Sequence, residues 1–288
     1  MKKAAAGEAL GVGFYADSFD RAADLVVEQS LEGRGGYAVL CNVHILMTAR
    51  RDATLRSALD EAWLVFPDGV PIAWLLKRDG ASTVERVCGV DLMPAVIERG
   101  IARGLRHYLL GSTEDVLAKL ERNLRERFPD IELVGSAGPF GDQATLDAVA
   151  PKIRETKPHV IWCAFGAPKQ ELWMRRNFAA LAPAVVLGVG AAFDFHAGTK
   201  RRAPVWMQRS GLEWLFRLAT EPRRLWSRYL RTNTAFCILV AREGLRGRLR
   251  RRPSATAGTP AQTLSSLNSP TSPEEDARSS VNQRDAES

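Results

Sequence analysis

The chain has no stretch approaching the ~20 apolar residues that a membrane-crossing helix requires; its best candidate, Ala235 to Ala241, is seven residues long. Its start, MKKAAAGEALGVGFYAD, has two lysines, but Glu8 and Asp17 interrupt what would be the apolar core of a signal peptide. Both observations predict a chain that works in the cytoplasm. Cysteine is scarce: Cys41, Cys88, Cys163 and Cys237 show no C-x-x-C spacing and each lies in an apolar stretch. That pattern predicts reduced, buried thiols in place of a disulfide frame or a zinc site. The four histidines (His44, His107, His159, His196) show no H-x-x-x-H spacing, and no D-x-D element occurs. No bound metal is expected, and structural histidines are. Glycine fingerprints are incomplete. Gly188-Val189-Gly190-Ala191-Ala192-Phe193 lacks the third glycine of G-x-G-x-x-G, Gly11-Val12-Gly13 is half of one, and neither is a Walker loop. A phosphate-cradling ATPase is thereby disfavoured.

What is present is an ordinary globular mix, 45% hydrophobic and 25% charged over 288 residues, enough to bury a substantial core. The net charge of +7 is unevenly placed. Lys200 to Arg252 carries fifteen Lys/Arg against three Glu, whereas Pro253 to Ser288 carries two Arg against five Asp/Glu. A nearly neutral body joined to a basic segment implies a polyanionic partner, membrane or nucleic acid.

Seven strand-like runs punctuate the chain: GVGFYA (11–16), YAVLCNV (37–43), WLVFPD (63–68), HYLLG (107–111), IELVGSA (131–137), HVIWCAF (159–165) and AVVLGVG (184–190). Most are continuously apolar, as strands covered on both faces are. Helical spacing falls between them, for example from Asp91 to Arg103 and from Glu114 to Phe128, with Thr113 placed to cap the latter. The alternation predicts an α/β fold, a mostly parallel Rossmann-like sheet with helices on both faces. After Val205 the pattern is helical only, broken at Pro222, and beyond Pro253 it turns to a Ser/Thr/Ala/Pro-rich composition that predicts disorder. The expected organisation is an α/β domain (1–204), a basic helical appendage (205–252) and a disordered tail (253–288).

Open α/β sheets bind ligands beyond the carboxyl ends of their strands. Four segments lie there: Asn42-Val43-His44, Phe66-Pro67-Asp68-Gly69, Phe165 to Glu171, and Gly188 to Asp194. Asp68 reads either as a desolvated general base or as the N-cap of the next helix. Pro168-Lys169-Gln170-Glu171 opens a helix, so Lys169 and Gln170 either complete a phosphate site or simply start the helix, with Glu171 on its positive end. In the appendage, Arg224, Arg228 and Arg231 share one helical face, and Arg246 to Arg252 add five more arginines. With Trp226 and Tyr229 opposite, these suit an anionic membrane surface.

Taken together, the residues resemble the WecG/TagA/CpsF family of bacterial glycosyltransferases. The resemblance runs from about Gly11 to Tyr229. It rests on Asn42, FPDG at Phe66–Gly69, Arg86 to Leu92, GAPKQE at Gly166–Glu171, FDFHAG at Phe193–Gly198, RAP at Arg202–Pro204 and GLEWLFRLATEPRRLWSRY at Gly211–Tyr229. It implies an inverting transfer from a UDP-sugar to a sugar on undecaprenyl diphosphate, with no metal or other cofactor. The enzyme would be peripheral on the inner face of the cytoplasmic membrane and is a candidate homo-oligomer. Asp68 would be the general base. Asn42 would hold sugar hydroxyls, Arg86 and Gln170 would orient the substrates, and Asp194 would contact the nucleoside. Phe140 would stack on uracil, while Arg217, Arg224 and Arg228 would steady the diphosphate. Three departures touch recognition: Leu40 and Val90 where the family often has threonine, and Pro139 where it has tyrosine. Two other readings fit parts of the pattern, a nucleotide-dependent oxidoreductase and a basic nucleic-acid-binding protein. The incomplete glycine fingerprint disfavours the first and the lack of a recognised nucleic-acid fold the second.

Overall fold

The computed structural model describes residues 7–250. Residues through Gly244 cluster as one unit and those from Leu245 as a second, of which only the end of the last helix is described. The tail proposed for 253–288 lies outside the described residues.

In chain order the elements are β1 (Gly7–Ala9), β2 (Val12–Phe14), α1 (Phe19–Leu31), β3 (Gly36–Cys41), α2 (Val43–Ala49), α3 (Ala53–Glu61), β4 (Leu64–Pro67), α4 (Val70–Arg78), α5 (Gly89–Ile101), β5 (Arg106–Gly111) and α6 (Glu114–Arg127). They continue with β6 (Glu132–Ala137), α7 (Gln143–Asp147), α8 (Ala150–Glu155), β7 (Val160–Ala164), α9 (Lys169–Leu181), β8 (Val185–Gly188), α10 (Ala192–His196), α11 (Val205–Arg209), α12 (Glu213–Thr220) and α13 (Pro222–Arg250). Six strands form one sheet in the order β4-β3-β8-β7-β5-β6, and every pairing in it is parallel. The expected α/β fold is what the chain adopts.

One expected strand is placed differently. Residues 12–14 of the GVGFYA run pair antiparallel with β1 in a separate two-stranded ribbon, in the register Gly7↔Phe14. The apolar run reports burial, and a short strand packed on a sheet's flank is buried as thoroughly as one inside it: Val12 and Phe14 are fully buried. Composition alone cannot tell the two apart.

The strands bury both faces, and alternate residues feed two separate cores. In β3, Tyr37, Val39 and Cys41 join the core under α2, α3, α4 and α9, while Ala38 and Leu40 join the one under α1, α5, α6 and α10. Local chemistry sets the helix starts. Thr113 accepts a hydrogen bond from the Val116 amide at 3.4 Å, the cap expected for α6. Of the thiols, Cys41, Cys88 and Cys163 are buried as expected, but Cys237 is exposed. Its apolar neighbours lie along the single helix α13, which exposes Ile238 as well as Cys237, so an apolar run there does not imply burial on all sides. Among the described residues no helix is long and apolar enough to cross a membrane.

Connections out of adjacent strands leave to opposite faces. After β3 the chain enters α2, in the first core; after β8 it enters α10, in the second. Open α/β sheets bind ligands at such a switch point, which here falls between the C-terminal ends of β3 and β8. The site lies beside it, beyond the C-terminal ends of β3 and β4.

Candidate functional site

Asn42 and Asp68 stand at the C-terminal ends of the neighbouring strands β3 and β4, which are in register from Ala38↔Leu64 to Cys41↔Pro67. The Asp68 amide donates to the Cys41 carbonyl at 3.0 Å, so the sheet itself fixes where the carboxylate begins. Asn42 caps α2, its Oδ1 accepting from the Ile45 amide at 3.2 Å, which turns its Nδ2 toward Asp68 Oδ2 at 3.4 Å. The capping interpretation of Asp68 does not hold: α4 is capped by Gly69, without a side-chain hydrogen bond, and Gly69 has φ +135°, a conformation that glycine adopts readily. Asp68 is therefore left half-buried beside Asn42 with no helix to cap. Burial pushes its pKa up; Arg86, Arg217 and the Asn42 hydrogen bond pull in the opposite direction, and Glu213 adds to the rise.

Arg86 arrives on the loop after α4. That loop is registered against β4, since the Val87 amide donates to the Pro67 carbonyl at 3.0 Å. The Arg86 guanidinium reaches Cys88 Sγ at 3.1 Å and Glu213 Oε2 at 2.7 Å. Glu213 opens α12, so an ion pair spanning 127 residues ties the helical segment to the sheet end. Arg202 grips Asp91 with both terminal nitrogens, at 2.5 and 2.7 Å, and its Nε lies 3.8 Å from Glu213. Arg217 sits within electrostatic reach of Asp68 and lies over the Phe195 ring, 5.8 Å from its centroid.

The other expected residues are more dispersed. Asp194, in α10, is half-buried and faces Lys200 Nζ at 3.5 Å. Phe140 packs edge-on against Phe165, with centroids 6.0 Å apart, at the margin of the first core. Lys169 is exposed at the start of α9. Gln170 is only 4% exposed. Its Nε2 donates to Glu171 Oε1 at 2.8 Å, and it lies so close over β8 that a Cβ on Gly188 would come within 2.8 Å of it. Arg224 and Arg228 belong to α13, but their side chains lie outside the described residues, as do those of Arg246 to Arg252. Among the described residues, no group of three or more His, Cys, Asp or Glu side chains is arranged to hold a metal ion.

Three residues that matter here escaped the sequence reading. Arg202 and Glu213 lay inside quoted motifs, but their partners are more than a hundred residues away, and no local spacing encodes that. Glu171 was read as a helix-dipole complement, yet it is fully buried, with Oε2 making no hydrogen bond. The signal available was its position, three residues past Pro168 on a helix that follows a buried strand.

A parallel α/β sheet with a half-buried carboxylate and converging guanidiniums beyond its strand ends suits an enzyme that moves a group from an anionic donor. The model of the glycosyl transferase WecG/TagA/CpsF family matches residues 8–250, and the chain belongs to that family; it is a glycosyltransferase. It is similar to the N-acetylglucosaminyldiphosphoundecaprenol N-acetyl-beta-D-mannosaminyltransferase of Bacillus spizizenii, at 30% identity over 200 residues that cover 69% of this chain and 76% of the relative. Family membership decides among the three readings of the sequence in favour of the glycosyltransferase.

Glu171 carries a testable consequence. Burial raises its pKa from 4.5 to about 7, with Cys41 and Cys163 as its titratable neighbours. A carboxyl whose folded pKa lies above its unfolded value stabilises the fold fully below the unfolded value, and that contribution is lost as pH rises through 7. The span corresponds to about 3 kcal/mol. Thermal unfolding between pH 5 and pH 8 should therefore show the parent losing stability relative to Glu171→Gln. Parallel curves for the two would rule out a neutral, buried Glu171.

Proposed function

We propose that the chain transfers a hexose or N-acetylhexosamine, with inversion, from a UDP-sugar to a sugar carried on undecaprenyl diphosphate. The observation that carries this reading is the Asp68 environment. A general base for a sugar hydroxyl needs a carboxylate with raised proton affinity, held still, at a place where substrates can meet. Burial supplies the affinity, and the Asn42 hydrogen bond and the sheet register supply the placement. In this mechanism Asp68 takes the proton of the acceptor hydroxyl as its oxygen attacks the anomeric carbon from the face opposite the leaving UDP. Asn42, fixed by its cap, holds sugar hydroxyls. Arg86 and Arg217, with Arg224 and Arg228 from α13, spread the charge that develops on the diphosphate, the task that a divalent ion performs in other transferases. Asp194 contacts the nucleoside, Phe140 stacks on uracil, and Gln170 and Lys169 sit at the start of α9 to orient the donor. The relative's name makes UDP-N-acetylmannosamine and an N-acetylglucosamine-capped lipid diphosphate the first substrates to try, with UDP-glucose and UDP-N-acetylglucosamine beside them.

With a lipid-linked acceptor the proposed reaction belongs at the inner face of the membrane, and the protein surface supports that reading. Of the eight large apolar side chains exposed among the described residues, seven lie on α11, α12 and α13: Val205, Trp206, Trp214, Leu215, Trp226, Leu230 and Ile238. Tryptophans beside a basic segment suit an interface with anionic lipid.

Three outcomes test the reading. Asp68→Asn should fold normally and lower UDP release from a UDP-sugar plus lipid-linked acceptor by roughly 10²–10⁴; a rate within a few-fold of the parent removes Asp68 as the base. Turnover should persist in excess EDTA, and activity that vanishes and returns only with Mg²⁺ or Mn²⁺ would show that the arginines do not replace a metal. Replacing Trp206 and Trp226 together by serine should lower partitioning onto phosphatidylglycerol vesicles by roughly an order of magnitude. Unchanged partitioning would leave the arginines as the whole of the anchor.

A further inference from the structure

Arg86 and Arg202 come from distant parts of the chain and converge on one carboxylate. Arg86 Nη2 donates to Glu213 Oε2 at 2.7 Å, and Arg202 Nε lies 3.8 Å from Glu213 Oε1. The three side chains are 19%, 23% and 14% exposed, so the cluster is largely withdrawn from solvent yet still reachable. Arg202 is not saturated: Asp91 takes its two terminal nitrogens, while its buried Nε makes no hydrogen bond. Arg217 likewise has a buried Nε without a hydrogen-bond partner. Guanidinium nitrogens left unpaired in a half-buried cluster are costly, and they mark a place built for more anionic oxygen than the free protein supplies.

The charges around Asp68 make the same point. Among the described side chains, Asp68, Asp91 and Glu213 face Arg86, Arg202 and Arg217, three against three. A diphosphate entering this cluster meets guanidiniums that are already neutralised, and Arg86 and Arg202 turn to it fully only when a carboxylate leaves. Asp68 is fixed by the sheet, and Asp91 by Arg202 and Cys88. Glu213 is the carboxylate able to leave, because the element that carries it is lightly held. None of the eight residues of α12 is buried, Gly211 precedes it in a positive-φ turn (φ +76°), and the chain breaks again before Pro222. A helix retained by ion pairs in place of apolar burial is one that an anion can unseat.

We infer that Glu213 is the internal counter-ion of a diphosphate subsite formed by Arg86 and Arg202, holding both guanidiniums in the free enzyme until a substrate diphosphate takes its place. Glu213 is then a positioning residue that acts through Arg86, and α12 re-seats when substrate enters. The inference rests on the UDP-sugar reading and deepens it by naming what the donor or the lipid-linked acceptor must displace, since both carry a diphosphate.

The test is binding to the full-length protein by calorimetry, with UDP and farnesyl diphosphate as separate probes. Glu213→Gln keeps the shape and an acceptor oxygen for Arg86 but removes the competing charge, so it should bind at least one probe roughly five- to tenfold more tightly than the parent. Glu213→Asp, which keeps the charge, should stay near the parent. A gain with UDP alone assigns the subsite to the donor, and a gain with farnesyl diphosphate alone to the acceptor. Equal or weaker binding by Glu213→Gln overturns the inference, because a merely structural ion pair can only lose affinity when it is cut. Should that variant not fold, hydrogen exchange in the parent decides: amides of residues 213–220 should exchange faster with the probe bound, and unchanged or slower exchange overturns the proposal. A parent that turns over a UDP-sugar while Glu213→Gln shows no gain sinks this inference alone. A parent that binds neither probe sinks it together with the donor reading.

Discussion

Charge balance in a half-buried crevice is the constraint on which the rest of this site depends. Asp68 cannot be moved: its amide is hydrogen-bonded to the neighbouring strand and its position is set by the register of β3 and β4. A carboxylate held there loses water, and the loss raises its proton affinity. Left alone it would be protonated more readily than a base should be. The surrounding guanidiniums oppose the rise without cancelling it, and each acts on Asp68 from a different part of the chain: Arg86 from the loop after β4 and α4, Arg217 from α12. The fold thus sets the proton affinity of Asp68 by two opposed effects, one local and one assembled across the molecule.

The same assembly explains why the chain continues past its sheet. The sheet and its flanking helices are complete by α10, yet the arginine cluster takes Arg202, Glu213 and Arg217 from residues that follow. Within the helical segment α13 is anchored by apolar burial, through Leu225 and Phe236, whereas α12 has no buried residue and is joined to the site through Arg86–Glu213. Stability and chemistry pull in different directions there. A helix buried more deeply would keep Glu213 on Arg86 and Arg202 whether or not a diphosphate was bound.

How much of this was legible in the sequence follows from which interactions are local. The inner sheet strands announced themselves because burial on both faces leaves an uninterrupted apolar run, whereas the edge strand β6 has no buried residue. Thr113 was legible because a cap acts over three residues. Asn42 and Asp68 were legible as residues beyond strand ends, although only the structure shows that the Asn42 cap aims its amide at Asp68. The GVGFYA run misled because an apolar run measures burial and not partnership, and Cys237 misled because apolar neighbours in sequence can point outward from a helix. Glu213 and Arg202 were invisible as a pair, since nothing in either segment specifies the other.

Gln170 shows where the two kinds of information meet. The sequence placed it at a strand-to-helix turn and gave it a substrate. In the free protein its amide is turned inward, donating to Glu171 and pressed on Gly188, with its own oxygen unpaired. An amide in that position has two ways to act. It can stay as a spacer that sets how close α9 lies to β8, a role the absence of a Cβ at Gly188 permits. Or it can rotate outward when a sugar offers a better partner, which costs the Glu171 hydrogen bond and leaves a second buried acceptor unpaired. A protonated Glu171 makes the rotation cheaper, because a neutral carboxyl tolerates isolation better than a carboxylate. The proton affinity of Glu171 and the reach of Gln170 are for that reason one problem, set by how deeply the turn before α9 is buried.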